Sequence, residues 1–419
     1  MKVESVDQLP LFEPRSRHRR ATLKSNGLQH SVAGLFAGIG GLERGLARSG
    51  HETTLLCEND RAAMTVLRSR FPSIDLHNDV CTLSALPPPT TLVTAGFPCQ
   101  DLSQAGRTVG IAGSRSGLVG EVFRLIEQQR TPWVLLENVP FMLQLSAGRA
   151  MDVITSTLER LGYRWAYRVV DSRAFGLPQR RRRVYLLASL VGDPREVLFA
   201  DDAEPLKASG GFGSVACGFY WTEGVRGLGW AVDAVPTLKG GSTIGIPSAP
   251  AIILPSGEVG TPSITDAERL QGFPKNWTKP AEAVARPSSR WKLVGNAVTV
   301  RAAEWLGRRM LRPGAVLDFP LSPITRVQSW PIAAWNVGEG RFAVDASEFP
   351  VRRQYVPLQT FLLSPLTPLS TRATAGFLSR ADRGGLRFPP KFLFALRMHL
   401  ERMKVSDTAL SRSGIQVAA

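Results

Sequence analysis

A chain of 419 residues, 43% hydrophobic and 21% charged, is long enough for two or three domains with sizeable cores, and this composition excludes wholesale disorder. Lysine and arginine outnumber the acids by 51 to 35, a formal charge of +16, which favours a polyanionic partner, nucleic acid foremost. The four cysteines show no C-x-x-C and no paired spacing, so no metal site or disulfide framework is expected. The chain also lacks a signal-type segment and any apolar run near the ~20 residues of a membrane helix, so the expectation is a cytoplasmic, nucleoid-associated protein with no membrane contact.

Residues 1–30 are polar and carry Arg15, Arg17, Arg19, Arg20 and Lys24, which reads as a basic, disordered arm. Its one apolar island, Gln8-Leu9-Pro10-Leu11-Phe12, resembles the linear motif that docks bacterial proteins on the replicative sliding clamp. The folded part opens at Ser31–Phe36, a strand that runs into the glycine-rich turn Ala37-Gly38-Ile39-Gly40-Gly41 and an amphipathic helix with Leu42, Leu46 and Ala47 on one face. Such a turn lets a cofactor approach the backbone. The G-x-G-G spacing lacks the third glycine of the dinucleotide fingerprint, which argues against a nicotinamide cofactor.

The next strand, 53–57, ends on Glu58, about 20 positions past the turn and placed to accept hydrogen bonds from ribose hydroxyls. A helix over 61–70 and a strand-like stretch at 74–77 lead to Asn78-Asp79-Val80. The β-branched run at 90–95 predicts a buried strand. It delivers Gly96-Phe97-Pro98-Cys99-Gln100-Asp101-Leu102-Ser103 to a strand's carboxyl end, the edge where open α/β sheets bind ligands. Cys57, Cys81 and Cys217 read as inert thiols, and Cys99 as the reactive one.

A Gly/Ser/Arg-rich loop over 104–117 and a helix around 119–130 follow. The apolar strand 131–136 ends on Glu137-Asn138-Val139, and a carboxylate there is costly unless it has a partner or a task. After a helix at 149–161 and a strand at 163–170 comes Gln179-Arg180-Arg181-Arg182-Arg183. In extended backbone Gln179, Arg181 and Arg183 share one face and Arg180 and Arg182 the other, with the first set pointing inward. From ~190 to ~265 glycine, proline, serine and threonine dominate, as in a small loop-rich β domain that reads a partner. A short capped helix lies at 265–271, and Gly295–Val298 starts a helix over 299–312. The tail 313–419 is Pro-rich and basic, with one amphipathic helix carrying Phe392, Leu396, Leu400 and Met403.

Nine blocks in this order, LFAGIGG (35–41), CEND (57–60), NDV (78–80), GFPCQDLS (96–103), SRSGL (114–118), ENV (137–139), QRRRR (179–183), RLQGFP (269–274) and GNAV (295–298), resemble the DNA (cytosine-5) methyltransferases over roughly 31–312. The resemblance implies an α/β, Rossmann-like S-adenosylmethionine-dependent sheet with a small, mostly β target-recognition domain. The expected division is a catalytic and cofactor-binding domain at 31–189 and 286–312, a recognition domain at 190–285 and a C-terminal extension of unreadable role at 313–419. Cys99, Glu137, Arg181 and Arg183 would carry the chemistry. Phe36, Gly38, Ile39, Gly40, Gly41, Glu58, Asn59, Asp79, Val80, Pro98, Leu118, Asn296 and Val298 would hold S-adenosyl-L-methionine. Gln100, Ser103, Arg107, Arg115, Gln179, Thr237 and Leu238 would contact double-stranded DNA. The family also implies a monomer and, as a functional partner, a cognate restriction endonuclease.

The sequence departs from the family pattern at Gly34, where the family usually has aspartate, and at Ser114-Arg115-Ser116, where it usually has S-R-G. A tRNA cytosine methyltransferase, a silent DNA-binding relative and a nucleotide-binding oxidoreductase are the alternatives. The long variable segment, the retention of Cys99, Glu137 and Arg183, and the glycine spacing weigh against them in turn.

Overall fold

The computed structural model describes residues 29–98, 117–207, 210–241, 249–325 and 329–412. The Gln8–Phe12 island and the candidate residues Cys99, Gln100, Ser103, Arg107 and Arg115 lie outside them.

Ten strands form the main sheet: β1 Ser31–Leu35, β2 Glu52–Cys57, β3 Asp75–His77, β4 Leu92–Ala95, β5 Trp133–Asn138, β6 Arg164–Asp171, β8 Arg182–Ser189, β14 Leu321–Pro323, β15 Ala333–Asn336 and β16 Phe342–Val344. Their order is β14-β16-β15-β6-β8-β5-β4-β1-β2-β3. β1 to β5 run parallel, and β8 turns antiparallel between β5 and β6. The central strands β1, β4, β5 and β8 are largely buried and apolar on both faces, as burial under helices on both sides requires. Ala33 and Leu35 of β1 join the cluster under helices Leu118–Gln129 and Arg149–Arg160, while Val32 faces Leu42 and Leu46 of helix Gly41–Ser49. That last helix packs on helix Val300–Leu311 closely enough that a Cβ on Gly45 would stand 2.4 Å from the Ala303 Cβ. β1 and β4 are neighbours from which the chain order runs outward in opposite directions, the topological switch point where open α/β sheets leave a crevice.

A second sheet of five strands has the order β10-β9-β12-β13-β17, with β9 Cys217–Phe219, β10 Trp230–Val232, β12 Ala251–Ile253, β13 Val259–Thr261 and β17 Thr367–Pro368. A two-stranded parallel pair, β7 Gln179–Arg180 with β11 Val235–Pro236, ties it to the main body.

The division of the chain differs from the sequence expectation in three places. Residues 195–199 belong to the main core, where Val197, Leu198 and Phe199 are buried with Trp335 and Met310. The segment 313–419 is not a separate extension. Its first part supplies β14 to β16, with β15 paired to β6. Its second part supplies β17 and the helices Thr371–Arg383 and Pro390–Arg412, whose Phe377, Phe392 and Leu396 form the apolar cover of the second sheet. Strands of two to four residues carry too little periodicity to be seen in the sequence, and their partners supply the stability. Thirdly, Gly295-Asn296 closes helix Ser289–Asn296 instead of opening the next one. Ala297 is extended and the following helix begins at Val300.

Candidate active site

A cavity of about 790 Å³ opens at the carboxyl ends of β1, β2, β4 and β5 and is roofed by the second domain. Each of those strands delivers its next residues to the wall. After β1 the chain turns through three left-handed residues, Phe36 (φ 53°), Gly38 (φ 57°) and Gly40 (φ 79°). A side chain at Gly38 would meet open space, because nothing lies within 4 Å of its would-be Cβ. The turn is held by Ala37 N donating to Cys57 O (3.0 Å), Gly40 N to Ala37 O (2.8 Å) and Gly38 N to Glu58 Oε2 (2.8 Å). Phe36, Gly38 and Ile39 line the cavity.

Glu58 follows β2. Its second oxygen accepts from Asp60 N (2.8 Å), and Asp60 caps the helix Arg61–Arg70 through Ala62 N and Ala63 N while pairing with Lys292 Nζ at 2.8 Å. Glu58, Asn59, Asp60 and Lys292 form one rim. Pro98 and Leu118 line the wall after β4, and Asn296 lines the rim at the end of its helix.

Glu137 stands at the tip of β5, opposite Tyr185 of β8. Arg183 lies two residues before Tyr185, hence on the same face and diagonal to Glu137. Its Nε reaches Glu137 Oε1 at 3.1 Å, and both residues line the cavity. Burial pushes the Glu137 carboxyl above its ordinary pKa, against the opposing pull of Arg183 and Arg181. Beside it Asn138 Nδ2 donates to Phe97 O at 3.0 Å, tying the β5 tip to the residues just before Cys99.

Other expected residues have different work. Arg181 is buried and does not line the cavity. Its Nη1 donates to Leu238 O (2.9 Å) and Gly295 O (3.2 Å), and its Nη2 to Ala297 O (2.7 Å). Burial, with Arg183 nearby, lowers its pKa to about 9, so it stays cationic at neutral pH. Gln179, expected at DNA, is also fully buried. Its Nε2 donates to Leu270 O and Gln271 Oε1, and its Oε1 accepts from Leu238 N at 3.0 Å. The alternation of the arginine run is as expected, with Arg180 and Arg182 exposed. Gln179 and Arg181 nevertheless clamp the Thr237–Lys239 loop from within, and both amide atoms of Gln179 and Nη1 and Nη2 of Arg181 are spent on protein partners.

Gly40, Gly41, Asp79, Val80 and Val298 are not among the lining residues. Gly40 backs onto Phe71 and Gly41 onto the Val298 backbone, and Asp79 Oδ1 caps Cys81 N at 2.9 Å. The opposite wall is the loop that follows β11. Thr237 and Leu238 line it together with Tyr220 and Lys239, which the sequence did not single out. Tyr220 Oη donates to Thr237 O (2.8 Å), and Lys239 Nζ lies 4.2 Å from the Tyr220 ring centre and 3.2 Å from Glu223 Oε1. One cavity thus joins a strained glycine turn, a rim of carboxylates, a buried acid–guanidinium pair and a loop of the second domain.

The profile of the C-5 cytosine-specific DNA methylases matches residues 30–207. The type II methyltransferase M2.BsuMI of Bacillus subtilis (strain 168) is 50% identical over 365 residues, covering 84% of this chain and 93% of the relative. The chain belongs to the C-5 cytosine-specific DNA methylase family. It is therefore a DNA (cytosine-5) methyltransferase, and the readings as an oxidoreductase or a tRNA enzyme fall away. A more distant relative, the type II methyltransferase M.MspI of Moraxella, is 28% identical over 286 residues, covering 64% of this chain and 66% of the relative. Among solved structures, the S. pombe Dnmt2 methyltransferase aligns with a TM-score of 0.48 at 16% identity, covering 68% of this chain and 98% of that one. Among the described residues no helix is long and apolar enough to cross a membrane.

Proposed function

We propose that this methyltransferase moves the methyl group of S-adenosyl-L-methionine to C5 of a flipped-out cytosine within a specific double-stranded DNA sequence, through a covalent Cys99 adduct. The biological setting is protection of DNA against a cognate endonuclease, with the enzyme acting as a monomer. The observation that carries the reading is the Glu137–Arg183 pair at 3.1 Å in the same cavity as the Gly38 turn and Glu58.

The cavity suits the methyl donor. The open space over Gly38 lets a ligand lie on the backbone, Glu58 can turn an oxygen to a ribose, and Glu58 and Asp60 offer negative charge to a cation. When bound, the donor supplies an electrophilic methyl on cationic sulfur.

The residues of the chain do the rest. Cytosine C5 is a poor nucleophile until electron density is added to the ring. The Cys99 thiolate attacks C6, forming a C–S bond and leaving C5 electron-rich. Glu137, whose burial favours the protonated form, hydrogen-bonds N3 and supplies a proton as charge builds there. Arg183, paired with Glu137, donates to the ring carbonyl. After C5 takes the methyl, leaving the donor as a neutral thioether, water removes the C5 proton and the freed pair forms C5=C6. The C6–S pair returns to Cys99 as thiolate, and Glu137 takes back the N3 proton. A stacked cytosine is unreachable, so the base leaves the duplex first, and the recognition loop at Thr237–Lys239 faces the cavity it enters.

The test is adduct formation with duplex DNA carrying 5-fluorocytosine in the presence of the donor. The native chain traps a covalent complex and Cys99→Ser does not. Equal trapping by the variant removes Cys99 from the role, and bisulfite sequencing of DNA from expressing cells identifies the site.

A further inference from the structure

The segment after the RLQGFP block runs back under the glycine turn, more than 230 positions away in sequence. The indole Nε1 of Trp277 donates to Ile39 O at 2.8 Å. Trp277 is only 5% exposed and sits in an apolar cluster with Ile39, Phe273 and Leu293. Two guanidiniums stand over its ring, Arg44 at 4.5 Å and Arg70 at 5.2 Å from the centre. Arg70 Nε also donates to the Trp277 carbonyl at 3.0 Å, so the indole is fixed from ring and backbone alike.

We infer that Trp277 is a positioning residue for the methyl donor, acting through the Ile39 carbonyl. This rests on the reading that the Gly38 turn takes S-adenosyl-L-methionine. Gly38 and Ile39 line the cavity, whereas Trp277 lies behind them and lines none of it. The Ile39–Gly40 peptide is the one the turn could most easily reorient, because Gly40 is already left-handed and has no side chain to resist. The Trp277 N–H holds that peptide plane with its carbonyl toward the core and its N–H toward Ala37 O. Without the indole donor the Ile39 carbonyl is buried and unpaired, which drives the turn to another conformation. The cavity wall at Gly38 and Ile39 moves with it.

Trp277→Phe keeps an aromatic ring in the cluster and removes only the donor, so it isolates the bond. Phe273→Leu disturbs the same cluster (its ring is 5.3 Å from Trp277) without touching the bond. Calorimetric binding of S-adenosyl-L-methionine to the full chain, with melting temperature and steady-state methylation, decides the matter. The expected result is a roughly ten-fold weaker donor affinity for Trp277→Phe, an equal rise in donor KM and kcat within about two-fold, while Phe273→Leu lowers the melting temperature and keeps donor affinity. Donor affinity unchanged in Trp277→Phe, or equally lost in Phe273→Leu, overturns the inference. Should Trp277→Phe not fold, Arg70→Gln carries the test. It loosens the Trp277 backbone from the end of its own helix, a donor affinity several-fold weaker is expected, and one equal to wild type overturns the inference. A wild-type chain that does not bind the donor at all refutes the cofactor reading instead.

Discussion

Gly34 and Glu43 share one slot: a Cβ on Gly34 would stand 2.4 Å from Glu43 Oε1 and 2.9 Å from its Cδ. Glu43 sends its carboxyl from the first turn of the helix after the glycine turn to the face of β1, where Oε1 accepts from Thr94 Oγ1 at 3.0 Å. Burial raises its pKa to about 7. The departure from the family pattern at Gly34 is thus matched by a carboxyl brought in from the helix. Installing the family residue alone, Gly34→Asp, crowds two acids into a closed slot and costs about 1–3 kcal/mol. The double variant Gly34→Asp/Glu43→Ala recovers most of that loss. Thermal denaturation of the four chains of this cycle measures the coupling; additive effects would show that the two positions do not share the space.

Arg181 and Arg183, two residues apart on one face, should separate stability from activity. Arg181→Met strands the carbonyls of Leu238, Gly295 and Ala297 and removes a buried charge that those dipoles stabilise. A fall of several kcal/mol is expected, about 3–5 as for broken buried pairs. Arg183→Gln breaks the pair with Glu137, but burial already favours the protonated form of that acid, so it becomes neutral instead of remaining an unpaired charge. The melting temperature should fall by only a few degrees while methylation drops by about 100-fold or more. Paired melting and turnover measurements discriminate, and an Arg181 variant that is stable but inactive would return it to the chemistry.

That contrast marks how far the sequence could be read. The turn at Gly38, the acid at Glu58 and the acid at Glu137 are legible because each directly follows or ends its own strand, and a parallel sheet gathers such ends at one edge. The inward face of the arginine run is legible from the period of two. What that face touches is not, since Leu238, Leu270 and Ala297 come from 57 to 116 residues away. Trp277 is hidden for the same reason: its bond to Ile39 spans 238 positions. The sorting of 313–419 between two sheets was illegible because β15 owes its place to pairing with β6 rather than to any pattern of its own.

The pH dependence of methylation should carry the signature of Glu137. Burial raises its pKa, and Arg183 followed by Arg181 pulls it down. In the proposed mechanism the protonated form is the active one, so the rate falls as pH rises through that raised value, giving a descending limb above the ordinary carboxylate range. Arg183→Gln removes the largest opposing charge, so in the residual activity of that variant the limb moves to higher pH. A kcat/KM profile over pH reads it directly. A limb that shifts downward, or stays fixed, would assign it to another group.

Stability should respond to acid through two stacked histidines. His30 and His51 lie 5.2 Å apart, ring to ring, and both are buried. His51 Nδ1 accepts from the His30 backbone N–H at 3.0 Å while Nε2 faces Gly307 O at 2.9 Å. With Nδ1 an acceptor, the ring proton sits on Nε2 and His51 is neutral. Burial lowers both pKa values, that of His30 to about 4 with His51 adding to the effect. The unfolded chain takes up these protons near pH 6.5, whereas the folded chain resists both and holds off that of His30 to about 4, so the His30 contribution is complete above pH 6.5 and lost as pH falls toward 4. For His30 alone the shift corresponds to about 3 kcal/mol. Glu43 works the other way, its raised pKa adding stability as pH falls from about 7, so the comparison must be made against a variant. In His30→Gln/His51→Gln the melting temperature at pH 7.5 is lower, since the bond to Gly307 is gone, but it falls less between pH 6.5 and 4.5 than in the native chain. Parallel curves over that interval would remove the pair from the acid response.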